Sequence, residues 1–419
     1  LLKIEIPSYI EMDECDFTNR SVIVRADFNS PIDPTTRRIL DITRIKSHVT
    51  TVNSLVASGA KVVLIAHQGQ KGADDFVSLQ THAGILSSLI NKEVRFVDEV
   101  YGRKVEDAVG HASYGDVLLL ENLRFTNDET RKVSSYAEHA QSELVRSLSS
   151  ITDFYINDAF ATAHRAHASI VGFPILMPSA AGKLMASELN AIKRILDSTR
   201  GPTAFILGGG KLSDSISLLE NSLVKNVVDK VIVTGLVANA FLLASGRLRS
   251  PVLLKNFEQK GFSAVLEKAS EIVKRYPEKI VMPVDLAAER GGERVEFGVE
   301  QMDDLVPLDI GERSLGLISD ELQGFRTAFL RGPAGVVEKK GFEKGTVGIL
   351  HALVDLGVYT VIGGGHTRIM AEELNLVDRL GYASTGGGAL LALLSGEPLP
   401  AIQALHLATA HTRCGNRKG

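Results

Sequence analysis

Residues 21–26 read SVIVRA and residues 61–66 read KVVLIA. Each is a short β-branched run, long enough for a strand and too short for a helix. Between them Ile45, Val49, Val52 and Val56 recur at spacings of three and four, with Asp41 placed to cap a helix and Gly59 to end it. Strand, amphipathic helix, strand predicts a parallel pair, and continuous apolar strands predict a sheet covered on both faces. The alternation continues outward through 94–97 (VRFV), 116–120 (DVLLL) and 154–156 (FYI). A second series follows at 203–207 (TAFIL), 230–233 (KVIV), 279–282 (KIVM), 327–330 (TAFL) and 359–362 (YTVI). The expected fold class is α/β, with two doubly wound parallel-sheet domains joined by a hinge helix. Leu189, Ile192, Ile195 and Leu196 give the connecting segment a helical stripe, and Gly201-Pro202 closes it. The expected division is 1–178 with the C-terminal tail 400–419, an interdomain helix at 179–199, and a second domain at 200–399. The acidic stretch 289–300 is expected as a solvated loop or hairpin.

A chain of 419 residues, 44% hydrophobic and 23% charged, is an ordinary globular composition with room for two or three domains. A net charge of −4 excludes a general nucleic-acid or membrane-surface binder. No apolar run reaches the ~18–20 residues of a membrane helix, and the acidic start LLKIEIPSYIEMDECD lacks the apolar core of a signal peptide. Cys15 and Cys414 lie near opposite ends with no CxxC spacing. They are expected as free thiols in a reducing, cytoplasmic setting; a disulfide would require the two ends of the chain to meet.

In open α/β sheets, ligands bind beyond the carboxyl ends of the strands. In the first series those ends carry Asp27-Phe28-Asn29, His67-Gln68-Gly69-Gln70, Arg124, and Asn157-Asp158 followed by His164-Arg165. Arginine forks of this kind suit a small polyanion. In the second series the ends carry glycine: Gly208-Gly209-Gly210-Lys211, Gly332-Pro333-Ala334-Gly335, Gly363-Gly364-Gly365-His366-Thr367, and Gly386-Gly387-Gly388 ahead of a helix. Glycines before helices let backbone N–H groups approach phosphate oxygens. None of these runs fits the P-loop or the GxGxxG dinucleotide fingerprint, which argues against a nicotinamide oxidoreductase. A polyphosphate lobe paired with a small-anion lobe points to phosphoryl transfer.

The segments VRADFNSP, DVLLLENLRF, INDAFATAHRAHASIVG, GGGKLSDSI, RGPAGVVE, GGGHT and STGGGALLALLSGEPLP, in this order, resemble phosphoglycerate kinases. The forms AHQG, GPAG and GGGHT, with no Trp, are most similar to the archaeal branch. The resemblance implies reversible phosphoryl transfer between ATP and 3-phosphoglycerate with Mg²⁺, in a monomer whose two domains close about the hinge. It implies an acid-sugar site at Asp27, Phe28, Asn29, Arg44, His67, Gln68, Gly69, Gln70, Arg124 and Arg165. It implies a nucleotide site at Gly209, Gly210, Lys211, Glu338, Gly364, Gly365, His366 and Thr367. Arg44 and Lys211 are the expected catalytic cations, His67 is counted among the cationic substrate donors, and Asp214 is the candidate Mg²⁺ carboxylate. No membrane or nucleic-acid partner is implied.

Four positions depart from the commoner family pattern. Gln70 stands in place of an arginine, Arg331 in place of an asparagine, His366 in place of an aspartate, and Ser215 in place of a second lysine. Gln70 and Arg331 motivate the competing expectation of a catalytically weakened nucleotide- or metabolite-binding protein on the same fold.

Overall fold

A computed structural model describes residues 4–301 and 305–414. The chain forms two compact units, Ile6–Leu189 with the tail from Pro398, and Asn190–Glu397. Residues 415–419 of the expected tail lie outside the described residues.

The N-terminal unit holds β1 (Ser21–Arg25), β2 (Lys61–Ile65), β3 (Val94–Val97), β4 (Val117–Leu120), β5 (Phe154–Asn157) and β6 (Ser179–Ala181). They form one parallel sheet in the order β3-β4-β2-β1-β5-β6. The apolar runs sort by alternation. Val22, Val24, Val62, Leu64 and Ile156 pack on one face with Ile45, Val52 and Leu55. Ile23, Val63, Ile65, Leu118 and Tyr155 pack on the other with Leu144, Val145 and Phe173. Both faces are dry, as a parallel sheet requires, and each such side chain contributes roughly 1.5–3 kcal/mol by leaving water.

The helix expected after β1 has Ile42 as its N-cap, with Asp41 one residue ahead accepting from the Thr43 N–H at 2.8 Å, and Gly59 turns at φ +76° past its end. It is divided, however, into Thr43–Ser47 and Val49–Ala57. The break falls at His48, whose ring accepts from the Asp27 N–H at 2.9 Å and meets Asp158 at 2.7 Å. A tertiary contact overrides the helical period there.

Ser179–Ala181, expected within the connector, is instead the edge strand beside β5. The C-terminal helix Pro400–Ala408 returns to this unit: Tyr136 donates to Gln403 at 2.8 Å and the Ser179 N–H donates to Thr412 at 2.9 Å. This return corrects the expectation of free thiols. Cys15 and Cys414 form a disulfide, with Cα atoms 4.3 Å apart, because the tail brings the two ends of the chain together. Joining residues 399 apart in sequence restricts the unfolded chain, an effect typically worth ~2–4 kcal/mol.

The helix Lys183–Leu196 carries the chain from one unit into the other and buries Leu189, Ile192, Ile195 and Leu196. The C-terminal unit then adds β7 (Thr203–Leu207), β8 (Lys230–Val233) and β9 (Ile280–Val281). A hairpin of β10 (Asp285–Arg290) and β11 (Glu293–Gly298) pairs with β12 (Asp309–Ile310) in a small antiparallel sheet. Its two-residue turn is Gly291-Gly292, both at positive φ, the geometry that favours glycine in tight hairpins. The acidic stretch is thus a hairpin. The chain ends this unit with β13 (Thr327–Arg331), β14 (Tyr359–Gly363) and β15 (Gly381–Ala383). The main sheet is parallel, in the order β15-β14-β13-β7-β8-β9. Among the described residues no helix is long and apolar enough to cross a membrane.

Candidate active site

In the N-terminal sheet the strand order reverses between β1 and β5, and a crevice forms beyond the carboxyl ends of such a pair. Asp27, just past β1, is buried and pairs with the Arg44 guanidinium. His67, just past β2, lies 3.8 Å from the Asp27 carboxylate and 3.1 Å from the Arg25 guanidinium. Burial alone would raise the Asp27 pKa, but Arg44, His67, Arg25 and His48 together hold it below its ordinary value. Arg124 follows β4 and donates to the Gly69 carbonyl. Its pKa is drawn down first by burial and then by Arg165 and Arg25, so these cations share one field. Its buried Nε has no hydrogen-bond partner among the described residues. Arg165 Nε lies 3.5 Å from His164. A dianion held among these groups would relieve the crowding of like charge.

Other expected residues serve the frame. Asn29 accepts from the Gly69 N–H at 2.8 Å. Gln68 is fully buried and bonds Ser30 in both directions, at 2.9 and 3.0 Å. The Phe28 ring is buried against His48 and His82, leaving only its backbone for a ligand. Gln70 is exposed, and its side chain makes no hydrogen bond among the described residues. His67 is corrected in one respect: burial first, and Arg25 second, push its pKa down to about 3. It is a neutral imidazole at pH 7 and adds no cationic charge.

Sequence reasoning missed the support beneath these groups. Arg25 is fully buried at the end of β1, donating to Ser169 at 2.7 Å and lying 3.7 Å from Glu129. Glu129 also accepts from Ser169 N–H and Oγ at 3.0 and 2.8 Å. Asp158 links His48 to the Leu184 N–H, at 2.7 and 2.9 Å. The readable signal was Arg25 itself, a lone charge inside the apolar run SVIVRA.

In the C-terminal sheet the order reverses between β7 and β13. Their following loops interlock: the Gly208 N–H donates to the Arg331 carbonyl at 2.7 Å and the Gly209 N–H to the Pro333 carbonyl at 2.8 Å. Gly332 turns at φ +77°, and a Cβ there would strike the Gly208 backbone. Beyond this junction lies a cavity of about 670 Å³, a size that suits a small-molecule ligand. All four glycine runs line it, with Lys211, Asp214, Asn239, Glu338, His366 and Thr367. The helices Leu212–Val224, Gly235–Ala244, Gly365–Glu373 and Gly387–Leu394 begin at its wall. Backbone N–H groups and helix dipoles there favour anions. Leu236, Leu286, Leu308, Ile310, Leu390 and Leu391 give it an apolar side. Lys211 is exposed, and its side chain forms no ion pair among the described residues. Glu338 and His366, both largely exposed, meet at 2.9 Å. Thr367 Oγ1 is buried with no hydrogen-bond partner among the described residues.

Among the described residues no group of three His, Cys, Asp or Glu side chains is placed to hold a metal. The donor set fits Mg²⁺ only in the way that ion prefers, held by phosphates and water with one or two protein carboxylates. Asp214 is the expected carboxylate on the cavity wall.

A family model for phosphoglycerate kinase matches residues 12–397. The phosphoglycerate kinase of Methanothermus fervidus is 38% identical over 397 residues, 95% of this chain and 97% of that protein. That of Methanothermobacter thermautotrophicus is 39% identical over 394 residues, 94% and 96% of the two chains. Among solved structures, phosphoglycerate kinase from Pyrococcus horikoshii superposes with a TM-score of 0.85 at 34% identity, covering 96% of this chain and 99% of that one. The enzyme from Coxiella burnetii gives 0.80 at 28% identity, covering 97% and 100%. With two parallel-sheet units, a cation-rich strand edge in one and a glycine-lined cavity in the other, the chain belongs to the phosphoglycerate kinase family.

Proposed function

We propose that the protein catalyses reversible phosphoryl transfer between ATP and the carboxylate of 3-phosphoglycerate, giving 1,3-bisphosphoglycerate and ADP. The observation that carries this reading is the division of labour within one chain of this family. One unit carries Arg44, Arg124 and Arg165 beyond the carboxyl ends of its sheet, with Arg124 and Arg165 in one field and Arg44 on Asp27, and the other builds a cavity of about 670 Å³ from glycine backbone.

A substrate carboxylate oxygen attacks the γ-phosphorus, and the bond from that phosphorus to the β–γ bridging oxygen breaks, leaving ADP. The attacking group is ionised at pH 7, so no general base is needed. Arg124 and Arg165 hold the substrate's anionic groups. Asp27 fixes the Arg44 guanidinium, and neutral His67 serves as a hydrogen-bonding partner. Lys211 and Arg44 are the cations offered to the charge that spreads over the transferring oxygens. Glu338 accepts from the ribose hydroxyls, while the backbone of Gly209, Gly210, Gly364 and Gly365, with Thr367, cradles phosphates. Bound Mg²⁺ would supply charge neutralisation, held chiefly by phosphate and water oxygens, with Asp214 the candidate protein carboxylate at the cavity wall. We read the protein as a cytoplasmic monomer acting on soluble metabolites. Its disulfide is unusual for that compartment outside hyperthermophiles.

The test is a coupled assay with purified protein, ATP, Mg²⁺ and 3-phosphoglycerate. Turnover should appear, and Lys211→Ala should lower it about 10²–10³-fold. Saturable ATP binding with no turnover above background would overturn the proposal in favour of a binding protein.

A further inference from the structure

Arg331 ends β13 where the two glycine loops interlock, and about nine-tenths of its surface is buried. Its Nη1 donates to Ser215 Oγ at 2.9 Å and its Nη2 to the Asp214 carboxylate at 3.2 Å. Those two partners occupy the first turn of the helix Leu212–Val224, whose N-cap is Lys211. Arg331 and Lys211 therefore address the same helix N-terminus, and both line the cavity.

The compensation of this guanidinium is thin. An arginine has five N–H donors, and the bonds to Ser215 and Asp214 engage two of them. The Asp214 side chain is 57% exposed, and a solvated carboxylate offsets a desolvated charge only weakly. Burial accordingly draws the Arg331 pKa down, with Asp214 opposing, although an arginine keeps its charge. A purely structural ion pair would not need a cationic fork set among glycines at the wall of a cavity built to approach anions. A triphosphate brings several negative charges to one exposed lysine and a set of helix termini, and a second, desolvated cation there would bind it strongly.

We propose that Arg331 is a further phosphate-binding residue of this cavity, a fixed cation beside Lys211, and that Ser215 and Asp214 are positioning residues that aim it. The inference rests on reading the cavity as the nucleotide site. It makes Asp214 first an anchor for Arg331, leaving the nucleotide's Mg²⁺ chiefly to phosphate and water oxygens. It also joins two of the family departures: the hydroxyl of Ser215 leaves room for the guanidinium that β13 supplies.

Calorimetric titration of the full chain with ADP, ATP and adenosine tests it. Arg331→Met should weaken ADP and ATP about 10- to 100-fold and leave adenosine within about twofold, since adenosine carries no phosphate. Arg331→Lys keeps a charge and should fall between parent and Arg331→Met, which guards against a misfolded methionine variant. Asp214→Asn should weaken ADP in the parent and add nothing in the Arg331→Met background. Unchanged ADP affinity in Arg331→Met overturns the proposal, as does an equal loss for ADP and adenosine. If the parent binds no nucleotide, the reading of the cavity falls and this inference with it; if the parent binds and Arg331→Met is indifferent, only the inference falls.

Discussion

In the N-terminal unit the candidate site is made of side chains that hold one another: Arg44 on Asp27, Arg25 on Glu129, His48 on Asp158. In the C-terminal unit it is made of backbone, with glycine loops and helix N-termini around an open cavity and Lys211 left unpaired by any described residue. The first arrangement suits a small, compact dianion whose charged groups must be met from fixed directions. The second suits a long flexible polyphosphate that many N–H groups can share. The difference has an energetic consequence. Altering the N-terminal site should disturb folding as well as binding, because its charges are buried and mutually dependent. Altering Lys211 should disturb nucleotide binding and chemistry and leave folding intact.

The largest effect should come from Glu129→Ala. It leaves the buried Arg25 guanidinium without its carboxylate partner, and breaking such a pair typically costs ~3–5 kcal/mol. Denaturant unfolding of Glu129→Ala and Lys211→Ala measures the contrast. A large drop in the midpoint is expected for the first and almost none for the second. Equal midpoints would mean that the network beneath the N-terminal site carries no stability.

Stability should also depend on pH through the N-terminal unit. The folded His67 titrates near 3 against an ordinary 6.5. Below pH 6.5 the unfolded chain gains a proton there that the folded chain refuses. Stability from this group is therefore complete above 6.5 and is lost as pH falls toward 3, at up to about 1.4 kcal/mol per pH unit. Glu129 is held near 2 against an ordinary 4.5: burial works against it but is outweighed by His167 at 3.6 Å, Arg25 and Ser169. Its contribution is present above 4.5 and is lost on the way to 2. Urea titrations from pH 7 to 4 should show the first slope in the parent and in Lys211→Ala alike. A flat profile between pH 6.5 and 4.5 would show that His67 is not buried as a neutral ring.

What could be read from the sequence follows the same division. Backbone features announce themselves locally. Apolar runs gave the strands at 94–97, 203–207 and 230–233 as found, and glycine runs marked four of the segments that line the cavity. Side-chain networks do not. Arg25 and Ser169 are 144 residues apart, Arg331 and Asp214 are 117 apart, and no local pattern encodes which partner a buried charge will find. Two three-residue strands, Ser179–Ala181 and Gly381–Ala383, were also missed. Three residues carry no periodicity, and pairing with a neighbour defines them. The disulfide escaped because it depends on where the tail docks, through Thr412 and Gln403.

Gln70 is the smallest and most local test of the comparison. It follows Gly69, whose carbonyl receives Arg124, yet its own side chain is exposed and makes no hydrogen bond among the described residues. Gln70→Arg would add a fork to an edge already dense with positive charge. Arg124 is destabilised as a cation by Arg165 and Arg25, so an added guanidinium raises the field without a new carboxylate to absorb it. That field favours a dianionic substrate, while the exposed setting limits the gain through screening. The KM for 3-phosphoglycerate should fall by about 3- to 10-fold at low salt, with kcat nearly unchanged, and the gain should shrink as ionic strength rises. Nucleotide KM should not move, because the altered residue belongs to the other unit. An unchanged or higher KM for 3-phosphoglycerate would mean that the N-terminal site is already saturated with cations, and that its affinity is set by the geometry of Arg124 and Arg165 rather than by the sum of nearby charge.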